Sequence, residues 1–138
     1  LSDLKTICHF EVELNSWSLS EAFVWGGELG AEALGSLTQN AIFALIPQLR
    51  YQLSLGVKIA TWISQGKAGE IQKNYPKLRP ATLSKYTACA KQLGQSYFLG
   101  GLNALFTLEV GARSGKSLPA LISSLALRLQ VKRELSLK

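Results

Sequence analysis

The string that comes nearest to chemistry is Gly111-Ala-Arg-Ser-Gly115-Lys116-Ser117. It approaches the phosphate-cradling loop Gly-x-x-x-x-Gly-Lys-Ser/Thr, but is one residue short between the glycines. That loop needs a buried strand before it, so that successive amides point into one nest. Here a helical pattern precedes the string, and no acidic strand for magnesium is visible. A joint between two helices, with Ser117 as cap, accounts for the same residues.

The remaining reactive types are sparse. Cys8 and His9 are adjacent, and neighbours on one helix diverge by about 100° rather than face each other. One histidine with the distant Cys8 and Cys89 cannot supply the three or four ligands of a metal site. Glu11 and Glu13 share one side of an extended segment, but nothing marks them as an acid/base pair. No catalytic residue, cofactor or metal is expected. Basic residues interleaved with aromatics are a different matter, because that is how a groove stacks single-stranded nucleic acid. Lys58, Lys73, Lys77, Arg79, Lys85 and Lys91, with Tyr86 between them and Tyr75 and Tyr97 nearby, are the candidate DNA contacts. The competing reading places those tyrosines half in the core and the lysines on a solvated face.

Charge supports some asymmetry of surface. Residues 1–57 carry a net of −4, residues 58–91 a net of +6 and the rest a net of +4. The 138 residues make one domain's length, and 47% hydrophobic content is enough for a core without disulfides or metal. Arg50 and Lys58 interrupt the longest apolar stretch, so no membrane span is expected. With two isolated cysteines and no visible secretion signal, a reduced, cytoplasmic setting is expected. The chain begins at Leu1 and holds no methionine, which reads as a fragment of something longer.

The elements that position these residues are helices. From Asn40 to Gln65, Ile42, Leu45, Leu49, Leu53, Val57 and Ala60 recur at spacings of three and four. Leu55, Ile59, Trp62 and Ile63 widen that face, so this stretch is the expected central rod, ended by Gly66. Pro47 removes a donor inside it and predicts a kink or a break. Before the rod, 2–9 reads as a short helix and 10–15 as an extended linker. Ser18 and Glu21 form a capping box for a helix to Trp25, stopped at Gly26-Gly27, and Glu28–Thr38 is a weaker helix. After it come a short helix over 67–75, one from Pro80 to Leu93, and one over 97–113 capped by Ser96. The face of that last one is Phe98, Leu102, Leu105, Phe106 and Leu108. A final helix is capped by Ser117, with Leu121, Ile122, Leu125, Leu129 and Val131 inward. Residues 132–138 read as a frayed polar tail. The expected fold is all-α, a bundle of six to eight helices: 1–15 a linker or remnant, 16–131 the domain.

With the helices in order, the chain resembles the C-terminal part of the delta subunit of bacterial DNA polymerase III, a clamp-loader component. Three blocks carry the resemblance. Trp17 to Leu37 is similar to the family's aromatic, Leu and acidic–Ala pair before a Gly and a short Ala–Leu helix. Leu45 to Leu55 is similar to its Leu, basic and Gln/Glu pattern in a long apolar helix. Leu105 to Leu129 has Glu109 and Arg113 in the family's acidic and basic places, four apart, ahead of a leucine-rich closing helix. Residues 77–95 depart from the pattern. The resemblance implies a non-catalytic helical collar that packs beside the collars of tau/gamma and delta-prime type subunits in a ring. The parent complex would be a replicative polymerase, a nucleotidyltransferase. Leu55, Trp62 and Leu127 are the surplus apolar residues that could form the subunit interface. Glu109, Arg113, Pro47 and Trp17 are structural candidates. The alternative is a free-standing basic helical domain that binds single-stranded DNA.

Overall fold

A computed structural model describes residues 17–26 and 39–136, and among them every regular element is a helix. The expected helices over 2–9 and Glu28–Thr38, the linker over 10–15, and Cys8, His9, Glu11 and Glu13 lie outside the described residues. The first described helix, α1, spans 17–25. It already includes Trp17 and Ser18, so Ser18 sits inside rather than before it, and the Ser20 hydroxyl donates to the Trp17 carbonyl at 2.7 Å. Gly26 ends α1 at φ 96°, a left-handed conformation that a side chain would strain.

The central rod is α2, Gln39–Ser64, at 1.5 Å per residue about 39 Å long. It runs through Pro47 without the expected break. Pro47 and Phe43 both face solvent, so the Phe43 carbonyl, deprived of its partner, is left to water rather than buried. At the other end Gly66, at φ 71°, donates to the Ile63 carbonyl while the Lys67 amide reaches back to Trp62. That pair of bonds is a Schellman cap, and it stops the rod where the glycine predicts.

Four helices follow: α3 (Gly69–Asn74), α4 (Pro80–Leu93), α5 (Gln95–Arg113) and α6 (Leu118–Ser136). Pro80 opens α4 in its first turn and Gly94 ends it. Because Gly94 reverses the chain at φ 81°, α5 starts at once with Gln95, and Ser96 lies within the helix instead of capping it.

α2 packs chiefly on α5, with α4 and α6 completing its surroundings. Two glycines set those crossings. A Cβ on Gly56 would overlap the Phe98 ring, and one on Gly101 would lie 2.6 Å from a Leu53 methyl. The core formed between them runs from Phe23 and Trp25 through Leu45, Leu49, Leu53 and Ile59 to Leu105, Ile122 and Leu129. Phe106 does not join it, being 65% exposed, and Val131 also faces outward. The inner face of α5 is instead Tyr97, Phe98, Gly101, Ala104, Leu105, Leu108 and Gly111. Nor does the chain fray from residue 132, since α6 is helical to Ser136 and Arg133 is tied into the interior. No helix among the described residues is long and apolar enough to cross a membrane.

Candidate interaction surfaces

The near phosphate loop resolves as a helix end. Gly115, at φ 87°, donates to Ala112 at 3.2 Å and Lys116 donates to Gly111 at 3.1 Å, a second Schellman cap. These amides are engaged by carbonyls of α5, so they form no cradle for a phosphate. Ser117 precedes α6 as expected, its carbonyl accepting from Leu121 at 3.0 Å. Among the described residues no group of three or more His, Cys, Asp or Glu is placed to hold a metal ion.

The tyrosines of the basic segment are core residues. Tyr86 is 1% exposed and stacks on Trp25, ring centroids 4.1 Å apart and planes 10° from parallel. It cannot also stack a base, which corrects its placement among the DNA contacts. Burial, with the Glu21 carboxylate nearby, pushes its hydroxyl well above the ordinary tyrosine range. Tyr97 is buried too, and Tyr75 sits edge-on to Trp62 at 6.2 Å. The cations themselves stay outside: Lys58, Lys77, Arg79, Lys85 and Lys91 are exposed, and Lys73 pairs with Glu70 at 3.6 Å. On α4, Lys85 and Lys91 flank a solvent face otherwise made of Ala81, Ser84, Ala88 and Gln92.

Tyr97 belongs to a cluster that sequence reasoning missed. Its hydroxyl donates to the Val24 carbonyl at 2.7 Å and accepts from Arg133 at 3.0 Å. Arg133 also donates to the Phe23 carbonyl, and the Cys89 thiol lies 3.6 Å from the Trp25 carbonyl. The last-turn carbonyls of α1, which have no partner within their own helix, are thus met from α6, α5 and α4. The guanidinium also complements the negative end of the α1 dipole. Burial raises the Tyr97 pKa, partly opposed by Arg133. Behind this cluster, the Trp25 indole donates to Gln52 at 2.8 Å in the interior.

The expected interface residues fare differently from one another. Leu55 is 2% exposed and belongs to the core, because α2 is enclosed on that side. Trp62 is half-buried against Tyr75. Only Leu127, at 62% exposure, stands free. Val131 and Leu135 continue its row along α6 at spacings of four, and Leu99, Phe106 and Val110 form a matching outer row on α5. The signal for the second row was in the sequence: glycine and alanine at 101, 104 and 111 mark the close-packed side, leaving the large residues opposite. Trp17, half-exposed, packs its ring on Tyr51 at 5.8 Å.

Glu109 does not bridge to Arg113 along α5. Its carboxylate is taken by Arg50 of α2, which ties the two helices together. Beside this pair lies an open groove of about 810 Å³. Ile46, Ala112 and Leu118 floor it, Phe43, Pro47 and Pro119 wall it, and Arg113 and Lys116 stand at its rim.

Comparison with known proteins finds no matching protein family, no matching curated relative and no matching solved structure.

Proposed function

We propose that this chain is a non-catalytic assembly module of a bacterial replicative clamp loader, the collar of a delta-type subunit. It would pack in the cytoplasm with the collars of tau/gamma and delta-prime type subunits while the sliding clamp is loaded. The observation that carries the reading is the pair of outward apolar rows, Leu99/Phe106/Val110 on α5 and Leu127/Val131/Leu135 on α6. A subunit in a heteromeric ring needs two different surfaces for two different neighbours, and an exposed apolar helix face is the usual material of a helix–helix contact. The resemblance in the three sequence blocks supplies the identity of the neighbours.

Size-exclusion chromatography with light scattering tests it. The expected result is co-elution with partner collars as a defined hetero-oligomer, lost on Phe106→Asp or Leu127→Asp while the helical spectrum is kept. A chain that stays monomeric beside folded partners would overturn the reading.

The exposed cations around α4 favour a second reading, single-stranded DNA binding, now without stacking by Tyr86 or Tyr97. Binding through phosphates would weaken steeply with salt. Lys85→Ala/Lys91→Ala should then reduce both affinity and that salt slope.

A further inference from the structure

We propose that the groove between α2, the end of α5 and the start of α6 docks an acidic peptide segment of another protein, with apolar side chains between its carboxylates. The proposal stands apart from the collar reading, because these residues belong to neither outward apolar row. Three features of the groove select that occupant.

The first is charge. Three cations, Arg50, Arg113 and Lys116, face one carboxylate, Glu109. Arg50 is held by that carboxylate, whereas Arg113 and Lys116 have no acidic partner among the described residues. Leu118, in the lining, opens α6, so the positive end of that helix's dipole lies at the groove. The second is the apolar interior. Ile46 and Leu118 are buried in the floor, while Phe43, at 52% exposure, and Pro47 and Pro119 leave apolar walls in water. The third is rigidity. Two walls are prolines with fixed φ and a third cation is pinned by an ion pair, so little freedom is lost on binding. The volume lies within the range of about 300–1,000 Å³ found for ligand clefts.

Other occupants fit less well. A strand of nucleic acid needs a row of aromatic faces to stack its successive bases, and Phe43 is the only aromatic in the lining among the described residues. A second copy of this chain offers no clustered carboxylates among its described residues, where Glu21, Glu70, Glu109 and Glu134 lie on four different helices.

Fluorescence anisotropy on the full chain is the test, with a short fluorescein-labelled peptide alternating Asp with Phe and Leu. Saturable binding is expected, reduced about tenfold or more by Arg113→Ala/Lys116→Ala and by replacing each Asp of the peptide with Asn. Phe43→Ala should weaken it about fivefold. All these residues are exposed, so thermal melts should stay put. Lys85→Ala/Lys91→Ala removes the same charge from another face and should leave binding unchanged. An equal loss in that control would overturn the proposal as nonspecific attraction. So would the absence of saturation, or tighter binding of single-stranded DNA through Arg113 and Lys116.

Discussion

At the carbonyl end of α1, side chains from three other helices meet the unsatisfied carbonyls, whereas at the α5–α6 joint the backbone closes on itself. The first end uses Arg133, Tyr97 and Cys89, and in doing so draws a cation and two polar side chains inward. The second uses the successive amides of Ser114, Gly115 and Lys116, with the short Ser114 hydroxyl on the Val110 carbonyl, so the side chains of Arg113 and Lys116 remain at the surface. Along α5, Arg113 lies about 24 Å from Tyr97, at the rise of 1.5 Å per residue. A helix terminus finished by other side chains becomes part of the core. One finished by its own backbone leaves its charges for a partner.

Trp25→Ala should break the closed end most severely. It removes the Tyr86 stack and the Phe98 contact and leaves Gln52 without its donor. A loss of about 3–5 kcal/mol is expected from urea denaturation, as for other buried aromatics cut to alanine. Gly56→Ala comes next, at about 1–3 kcal/mol, because a methyl group there displaces the Phe98 ring from α2. Retained stability would mean that α2 and α5 can separate without disturbing the cluster.

Arg133→Ala should lower stability by about 1.5–3 kcal/mol, the range for hydrogen bonds to charged groups. The effect should fall on α1, read as faster amide exchange in 20–25 than in α2. A pH series sharpens the same point. Tyr86 ionises with more difficulty folded than unfolded, since its pKa is raised above the ordinary 10.0. The stability it contributes is complete below about pH 10 and declines as the pH rises above that, because the unfolded chain then releases a proton that the folded one keeps. Tyr86→Phe should make the alkaline decline shallower. At the open end, Arg113→Ala and Lys116→Ala should each change stability by less than about 0.5 kcal/mol. A larger loss would mean that these cations hold the fold together and that the contrast between the ends is mistaken.

Much of the helical framework was legible in the sequence because its signals act within a turn. Gly66 and Gly94 stop helices by accepting positive φ, and Pro80 starts one with a φ already set. The spacing of Ile42, Leu45, Leu49 and Leu53 marks one side of α2, and all four are buried. The errors arose where a residue's role depends on what stands opposite. Pro47 was expected to kink or break the rod, yet the helix continues through it, and its missing bond falls on the wet side. Glu109 and Arg113 are spaced four apart, as for a contact along one helix, yet Arg50 approaches Glu109 from another. Leu55 and Tyr86 were given to the surface, and both lie in the core. Of the candidate groove, Arg113, Lys116 and Ser117 drew attention for the wrong chemistry, while Phe43 and Pro119 gave no sign of belonging with them.

By itself, then, the sequence determined that the described chain is helical and where most of its helices begin and end, since backbone preference and apolar period are local properties. The small residues of α5 marked a candidate inner face, but that Leu53 of α2 and Leu129 of α6 would fill the space beside Gly101 was decided only by tertiary packing. Gly101, Ala104 and Gly111 let α2 and α6 come close enough to exclude Phe106 and Val110. Packing likewise recruited Arg133, near the end of the chain, to finish a helix more than a hundred residues earlier. No local pattern encodes that, because the carbonyls it satisfies become its neighbours only once the bundle has closed.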